Sequence, residues 1–483
     1  MKKYQKVFRE DYEKWYQENR EYREQVAGDA NRLAYHLMPE TGWLNDPNGL
    51  CQLNGLYHIY YQYTPFEPTG EIKLWGHYTT EDFVHYKNRE PALFPDRDFD
   101  AHGVYSGSAF VEDGTAHYFY TGNVKRFDRD DYDYIMAGRE SNTVCFESRD
   151  GYEFSEKTLL MTTADYPPDI SCHVRDPKIL KVGHTYYMAL GARDSGSKGL
   201  VLLYESQDLN HWKYYNRITT NEPFGYMWEC PDLFFLDGQL CLICCPQGVE
   251  PKGVDYWNVH QCTVMSLNYD FDKNEYAPIH PSDAVMVDRG FDFYAPQTFE
   301  DEKGRRILIG WMGIPDADYT NPTTEAGWQH AMTIPRTLHW RNGRMIQTPL
   351  EELEAMRREG RRYLLDELNR ASERDVVYEG CFQFATCETM NMTLRPGVTL
   401  VYDNGLLTLD LGDKGSGRTR RCVTAEHLQE LRIFSDTSSL EIFVNGGEEV
   451  FTTRVYCPEG ELRVHGRCTG TAEIYGLSGF VYE

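Results

Sequence analysis

Three acidic residues, Asp46, Asp176 and Glu229, each precede the same local pattern, a Gly-containing turn followed by a short run of apolar and aromatic residues. Each acid stands seven to nine residues before the turn glycine. Carboxylates that share a pocket repel one another and lose hydration, so such a cluster is costly unless it is used. The spacing therefore indicates an active site with carboxylate chemistry. The simpler alternative is that the acids only decorate polar strand ends.

The turn pattern occurs five times and predicts an all-β fold. Its copies are separated by 59, 69, 55 and 66 residues, counted between the turn glycines Gly55, Gly114, Gly183, Gly238 and Gly304. Gly with a polar neighbour before an apolar run is typical of a hairpin that enters a half-buried strand. Repeats of this length predict a five-bladed β-propeller with elaborated loops. We expect the strand before each turn to be innermost, so that the three acids enter one channel from equivalent positions.

The rest of the chain predicts further units around the propeller, which we place at residues 33–348. Residues 1–32 are highly charged and are predicted to form a helical extension. Residues 349–364 carry acids first and arginines later, which favours a helical linker. In residues 365–483, short alternating segments between Gly, Asn and Asp turns predict a C-terminal β-sandwich.

The residues around the three acids indicate a sugar as substrate. Trp43 offers a flat apolar face for a sugar ring, and the Asn45 amide can bond hydroxyl groups. Arg175 is adjacent to Asp176, so on a regular strand the two side chains would point to opposite faces. Taken singly, these segments could be a turn, a surface ion pair and a half-buried edge acid.

The ordered motifs WLNDPNG, RDP and WECPDLF resemble those of the invertase-type glycoside hydrolases of family 32, the β-fructofuranosidases. YSGSA, FYAPQTF and GWQHAMTIPR match further along the chain, and SDTSSLEIFVNGG is similar to the C-terminal sandwich of that family. The resemblance extends from about Tyr35 to the end of the sequence.

The resemblance implies retaining hydrolysis of a terminal β-fructofuranoside, with no cofactor. Asp46 would be the nucleophile, Glu229 the general acid and then base, and Asp176 a transition-state stabiliser. We expect the charge on two members of the cluster to raise the pKa of Glu229 and keep it protonated. Further substrate-binding residues are expected as hydroxyl binders, apolar walls and a screening cation: Asn45, Gln62, Ser106 and Tyr294; Trp43, Trp75 and Trp311; and Arg175.

Lys73 lies in a stretch that departs from many secreted members of the family, which carry a second Trp there. The small residues and Lys in YQYTPFEPTGEIKLWGH are more similar to the intracellular sucrose-6-phosphate hydrolases. A lysine is a compact point charge that suits a phosphate. We therefore consider Lys73 as a phosphate ligand, with a solvated surface lysine as the alternative.

Composition excludes several classes of partner. There are 49 Lys and Arg against 75 Asp and Glu, a net charge of −26 that repels nucleic acid and anionic membranes. The charged start of the chain has no apolar segment, which predicts no signal peptide and a cytoplasmic protein. Thirteen cysteines without a pairing pattern are expected to be reduced, and no histidine motif indicates a metal. A monomer or a homodimer is equally compatible.

Three alternative functions remain open from the sequence. One is an intracellular enzyme that trims short fructooligosaccharides, because outer-site specificity depends on loop shape. Another is a carbohydrate-binding propeller without catalysis. The last is an inverting glycosidase of a related five-bladed family, which would need its carboxyl groups farther apart to admit a water.

Overall fold

The computed structural model describes residues 6–130, 133, 135–371 and 373–483. Five mainly antiparallel sheets form a propeller, and a further sheet system forms a C-terminal β-sandwich. The predicted fold class is confirmed. No helix within these residues combines the length and apolar character needed to span a membrane.

The blades follow one another along the chain, each beginning with its innermost strand. Blade one contains β1 Gly42–Leu53, β2 Leu56–Thr64, β3 Leu74–Thr80 and β4 His85–Leu93; blade two β5 Val104–Glu112, β6 Thr115–Lys125, β7 Arg139–Ser148 and β8 Thr158–Met161; blade three β9 Ile170–Val182, β10 Thr185–Asp194, β11 Gly199–Ser206 and β12 Lys213–Ile218. Blade four contains β13 Met227–Leu236, β14 Gln239–Gln247 and β15 Thr263–Leu267, the small hairpin β16 Tyr269–Asp270 and β17 Glu275–Tyr276, and β18 Val285–Met286; blade five contains β19 Tyr294–Glu300, β20 Arg306–Met312, β22 Ala331–Met332, β23 Arg336–Arg341 and β24 Arg344–Pro349. The short strand β21 Trp328–Gln329 leaves blade five and pairs in parallel with β1.

The glycines of the sequence repeat do form the first hairpin turn of every blade. Gly55 has φ of +81°, and the other four also lie in the left-handed region that glycine adopts without strain. The strands before these turns, β1, β5, β9, β13 and β19, pack against one another in that order, and β19 closes the ring against β1. The expectation that they are innermost is confirmed.

Each innermost strand contains a β-bulge near the same end, where two residues oppose one on the neighbouring strand. A proline stands in three of the five bulges, at Pro177, Pro231 and Pro296, and Pro47 directly follows the bulge of β1; the missing N–H of proline suits an interrupted ladder. Asp176 in this bulge has φ of +65°. The bulge explains how neighbouring residues of one strand both face the site.

The bulges also correct the expected symmetry of the three acids. Asp46 and Asp176 each stand directly before one of these prolines, whereas Glu229 stands one residue earlier. Glu229 thus occupies the position of Arg175 in blade three and Tyr294 in blade five. The acids share one end of the channel, but their positions in the repeat are not equivalent.

Behind the bulges, a layer of buried polar side chains joins the blades. Ser108 Oγ donates a 2.6 Å hydrogen bond to the Pro177 carbonyl of the next blade. Lys178 Nζ donates to the Thr298 carbonyl and lies 3.4 Å from Asp232 Oδ2. These contacts join four inner strands, β5, β9, β13 and β19, beneath the site.

The chain before the propeller forms two helices, α1 Arg9–Glu18 and α2 Arg20–Ala27. Residues 1–5 of the predicted extension lie outside the described residues. Tyr12 of α1 is buried, Arg23 of α2 forms a 2.9 Å ion pair with Glu40, and Asp29 accepts a 2.7 Å hydrogen bond from Trp328 Nε1. The extension therefore packs on the side of the propeller.

The C-terminal sandwich is built around two long strands, β26 and β33, that pair along most of their length. Its elements are β25 Arg357–Leu364, α3 Leu365–Ala371, β26 Tyr378–Arg395, β27 Val398–Asp403, β28 Leu406–Asp410, β29 Arg420–Thr424, β30 Glu430–Asp436, β31 Ser439–Val444, β32 Glu449–Arg454 and β33 Arg463–Leu477. A last strand, β34 Val481–Tyr482, returns to pair in parallel with β4 of blade one. Short 3₁₀ helices occur at Asp98–Asp100, Thr163–Asp165, Pro281–Asp283, Pro322–Thr324 and Glu351–Met356.

The predicted helical linker at 349–364 is wrong over its second half. Only the 3₁₀ helix Glu351–Met356 is helical, and the chain then forms strand β25, which pairs with β33. Gly360 weakens a helix at this place, and a Cβ there would lie 2.5 Å from the ring of Tyr475. Pairing with β33 outweighs the helical charge pattern. The domain boundaries themselves stay predictions.

Candidate active site

A cavity of about 200 Å³ opens at the bulged end of the inner strands. All three predicted acids line it. The other lining residues are Trp43, Asn45, Gln62, Lys73, Tyr105, Ser106, Arg139, Arg175, Tyr294, Trp311 and Pro315. Side chains that are far apart in the sequence therefore meet in one pocket because five equivalent strands end there.

Asp46 is held by neutral hydrogen-bond donors. Ser106 Oγ donates to Asp46 Oδ2 at 2.5 Å, and Asn45 Nδ2 donates to Asp46 Oδ1 at 3.0 Å. Gln62 fixes both donors, accepting from Asn45 at 2.8 Å and donating to Ser106 at 2.5 Å, while Trp43 Nε1 bonds Asn45 Oδ1 at 2.8 Å. Burial raises the pKa of Asp46, and the hydrogen bonds from Ser106 and Asn45 oppose this. The network fixes the carboxylate without placing a cation on it.

Glu229 has a different environment, with a cation on one oxygen. Arg175 donates to Glu229 Oε1 from Nε at 2.9 Å and from Nη2 at 2.7 Å. Gln247 and Tyr294 each donate to Glu229 Oε2 at 2.7 Å. Burial raises the pKa of Glu229, but Arg175 and the Tyr294 hydrogen bond outweigh it, so the pKa is lowered. The expectation that Glu229 keeps its proton in the free enzyme is wrong, because the Arg175 cation prevails over the neighbouring carboxylates.

Asp176 is the carboxyl group whose pKa is raised most clearly. Burial raises the pKa of Asp176 to about 7; Arg175 opposes the rise, and the charges of Glu229 and Asp46 add to it. Asp176 Oδ2 accepts a 2.8 Å hydrogen bond from the Cys230 backbone N–H. A shared proton of the cluster therefore resides on Asp176 more than on Glu229 in the ligand-free site.

Lys73 lines the cavity, whereas Trp75 does not take its predicted place there. Lys73 is only 9% exposed and its Nζ lies 4.9 Å from the centroid of the Trp43 ring, so a solvated surface lysine is excluded. Trp75 does not line the cavity. It is fully buried beneath the wall, where its Nε1 donates to the Tyr105 carbonyl at 3.2 Å.

Sequence reasoning missed four residues near the reacting groups. Tyr105 directly precedes Ser106 in the YSGSA motif, so the prediction of Ser106 as a site residue could have led to Tyr105. Gln247, Arg139 and Pro315 lie in segments that carry no chemical pattern of their own. They reach the site only through the pairing of strands and the packing of loops.

Comparison with known proteins agrees with this geometry. The family model "Glycosyl hydrolases family 32 N-terminal domain" matches residues 36–349, and "Glycosyl hydrolases family 32 C terminal" matches residues 383–475. The chain belongs to glycosyl hydrolase family 32. The family matches cover both the propeller and most of the sandwich, and the predicted recognition is confirmed.

Among the family 32 relatives, the chain is similar to two proteins named sucrose-6-phosphate hydrolase. The protein of Bacillus subtilis (strain 168) is 38% identical over 473 residues, covering 94% of this chain and 95% of the relative. That of Klebsiella pneumoniae is 37% identical over 453 residues, covering 89% and 90%.

Solved structures of family 32 proteins share the fold. The sucrose-6-phosphate hydrolase of Lactobacillus gasseri superimposes with a TM-score of 0.88 at 28% identity, over 98% of this chain and 100% of the other. A family 32 β-fructofuranosidase of Bombyx mori gives a TM-score of 0.80 at 28% identity, over 96% and 99%. This protein is accordingly a glycoside hydrolase with the family's two-domain architecture.

Proposed function

We propose that this protein is a retaining β-fructofuranosidase that hydrolyses sucrose 6-phosphate and sucrose. The observation that supports this most is the contrast between Asp46 and Glu229 within one cavity. Asp46 is held by neutral donors, and Glu229 is held by Arg175. Two carboxyl groups with different environments are what a nucleophile and an acid/base require. The names of two similar proteins point to the first of these substrates, sucrose 6-phosphate.

In the first step, Asp46 attacks the anomeric carbon of the fructosyl unit. The bond from that carbon to the bridging oxygen breaks, and Glu229 gives its proton to the leaving oxygen. A fructosyl ester on Asp46 results, and the aldose leaves. In the second step, Glu229 takes a proton from water, the water oxygen attacks the anomeric carbon, and Asp46 is released as a carboxylate.

The protonation state needed for the first step is a minor one in the free enzyme. Asp46 must be ionised although burial raises its pKa, and Glu229 must carry a proton although Arg175 lowers its pKa. Catalysis then proceeds through the fraction of molecules with this distribution. The benefit is that Arg175 stabilises the Glu229 carboxylate formed as the leaving group departs.

The remaining groups position the sugar. Asp176 hydrogen-bonds fructose hydroxyls, and these bonds strengthen as the ring gains positive charge. Asn45, Gln62, Ser106 and Tyr294 orient the carboxylates and hydroxyl groups, while Trp43 and Trp311 form apolar walls. Trp75 supports the wall from behind. We further propose a cytoplasmic location, as its phosphorylated substrate requires, and a monomeric or homodimeric state.

Fructose release by the purified protein tests the proposal. We would compare kcat/KM for sucrose, sucrose 6-phosphate and 1-kestose under identical conditions. The proposal predicts release from the first two, with preference for the phosphorylated sugar. A preference for 1-kestose would instead indicate an enzyme that trims short fructooligosaccharides, and no release from any of the three would leave a carbohydrate-binding protein.

A further inference from the structure

The Lys73 side chain lies in the cavity wall, and its ammonium group has no hydrogen-bonding partner among the described residues. The residue is 9% exposed, and its Nζ forms no hydrogen bond or ion pair there. Nζ lies 4.9 Å from the centroid of the Trp43 ring. A cation that is largely removed from water and lacks a hydrogen-bonding partner is unfavourable, so its place in a cavity wall points to a ligand of opposite charge.

The surrounding chain keeps Lys73 in this position. Gly70, at φ of +79°, brings its loop so close that a Cβ would lie 2.8 Å from both Lys73 Nζ and the Trp43 ring. The Lys73 carbonyl accepts a 3.0 Å hydrogen bond from the Val104 N–H of the next blade. The backbone of Lys73 is thus fixed to the next blade, and its ammonium group lies beside the Gly70 loop and the Trp43 ring.

Arg139 supplies a second cation to the same cavity. It is 3% exposed, its guanidinium carbon lies 5.3 Å from the centroid of the Tyr105 ring, and its Nε donates to Asn123 Oδ1 at 2.8 Å. Arg175, the third cation of the cavity, bonds Glu229. The cavity of this strongly acidic chain thus has three cations beside its three carboxyl groups.

We propose that Lys73 and Arg139 form an anion subsite that binds the phosphate group of a sugar-phosphate substrate. The inference rests on the proposed hydrolysis of sucrose 6-phosphate. Arg139 contributes a guanidinium charge to the cavity wall, and Lys73 contributes a compact charge that suits a phosphate oxygen. The subsite would make a phosphorylated aldose the preferred leaving group in an otherwise strongly acidic protein.

The electrostatic surroundings of Lys73 are consistent with this role. Burial lowers the pKa of Lys73 to about 7, and the nearby charges of Asp46, Glu67 and Glu71 offset only part of that shift, while Lys125 adds to it. A bound dianion would restore full protonation of the amine. A bound phosphate would therefore compensate the free energy that burial of the Lys73 ammonium group costs the free enzyme.

Substitution of each cation tests the subsite. Lys73→Met and Arg139→Gln should each lower kcat/KM for sucrose 6-phosphate about 100-fold more than kcat/KM for sucrose, the size expected for loss of a charged hydrogen-bonding partner. Lys213→Met, which removes an exposed cation from an outer strand of blade three, is the matched control. Equal losses on both substrates would overturn the inference, because the cations would then serve the fructosyl unit or Asp46.

Binding of products separates failure of the inference from failure of the proposed function. Calorimetry should show that glucose 6-phosphate binds at least about 10-fold more tightly than glucose to the unmodified protein and to Lys213→Met. This advantage should disappear in Lys73→Met and be competed by inorganic phosphate. Equal binding of the two sugars by the unmodified protein would refute the subsite. Tight binding of glucose 6-phosphate without fructose release from any substrate would support the subsite and refute the proposed hydrolysis.

Discussion

At the scale of single residues, one ion pair decides how the three carboxyl groups divide their roles. Arg175 lies directly before Asp176 in the chain, yet its guanidinium group bonds Glu229. The sequence indicates the three acids, but it does not show which of them takes the cation. That pairing depends on the bulge, which turns Arg175 and Asp176 toward the same cavity.

Removal of the Arg175 cation should shift the pH dependence of activity. Because the reactive form has Glu229 protonated and Asp46 ionised, while the pKa of Glu229 is lowered and that of Asp46 raised, Glu229 sets the acid limb of kcat/KM and Asp46 the basic limb. Arg175 lowers the pKa of Glu229, so Arg175→Met should raise it and move the acid limb upward by about one unit or more, with lower maximal activity. The measurement is kcat/KM for sucrose against pH, with Lys213→Met as control. An unmoved acid limb would show that Arg175 does not govern the acid.

The acid role of Glu229 can be separated from the nucleophile role of Asp46. Glu229→Gln should lower the rate on sucrose by about 10²- to 10⁴-fold, because no proton reaches the leaving oxygen. An aryl fructoside with an activated leaving group needs no proton and should lose far less in the first step. Asp46→Asn should abolish turnover of both substrates. Comparable losses of Glu229→Gln on the two substrates would contradict the assignment.

At the scale of elements, the five turns and five innermost strands were predictable, whereas the bulges were not. The Gly turns recur with apolar strands behind them, and both signals are local. A bulge adds one residue to one strand, and only strand pairing reveals it. The prolines after Asp46, Asp176, Cys230 and Ala295 are its one trace in the sequence. Read as a set, they show that Glu229 occupies a different position from the other two acids.

The linker after the propeller shows the opposite outcome, where a local charge pattern was misleading. Acids before arginines suit a helix dipole, but the partner strand β33 lies about a hundred residues later. Tertiary pairing overrides such weak preferences. Gly360, which weakens a helix, was the one residue in this segment that argued against the helical prediction.

The polar layer beneath the bulges should be important for stability. Lys178→Met would leave the buried Asp232 carboxylate without its cation, at a cost of about 3 kcal/mol in the free energy of unfolding. Lys181→Met on the same strand removes only a partly exposed pair with Glu112 and should cost much less. Thermal unfolding of both variants measures the difference. Equal shifts in Tm would argue against a structural role for the layer.

At the scale of the whole molecule, a buried charge network joins the segment before the propeller, the last blade and the sandwich. His36 lies 2.7 Å from Asp436 through Nδ1 and 3.0 Å from Glu441 through Nε2, and Arg336 bonds Glu441 at 2.6 Å. All four side chains are fully buried. The network ties the two domains together.

The His36 network predicts a window of pH in which His36 stabilises the fold. Burial lowers the pKa of His36, but Asp436 and Glu441 outweigh it and raise the pKa, so this stabilisation is complete below about pH 6.5 and is lost as pH rises through the folded-state pKa. Burial raises the pKa values of Asp436 and Glu441, but the pairing of both carboxylates with His36 helps to bring them below their usual values. The stability that these two carboxylates contribute to the fold is therefore lost as pH falls through their folded-state pKa values. His36→Gln should therefore be most destabilising, by about 3 kcal/mol, between about pH 4.5 and 6.5.

Thermal unfolding from pH 4 to pH 9 tests this window. The exposed His211, which pairs with Asp208 at the surface, provides the control variant His211→Gln, expected to cost less than about 1 kcal/mol. If the loss in Tm caused by His36→Gln were the same at every pH, His36 would act through shape alone.

The central claim, a fructosyl ester on Asp46, is tested most directly by the stereochemistry of transfer. Hydrolysis of sucrose in aqueous methanol lets methanol compete with water for the intermediate, and NMR reads the configuration of the methyl fructofuranoside. Two displacements at the anomeric carbon predict methyl β-D-fructofuranoside. Formation of the α-anomer would mean a single displacement and would contradict the account.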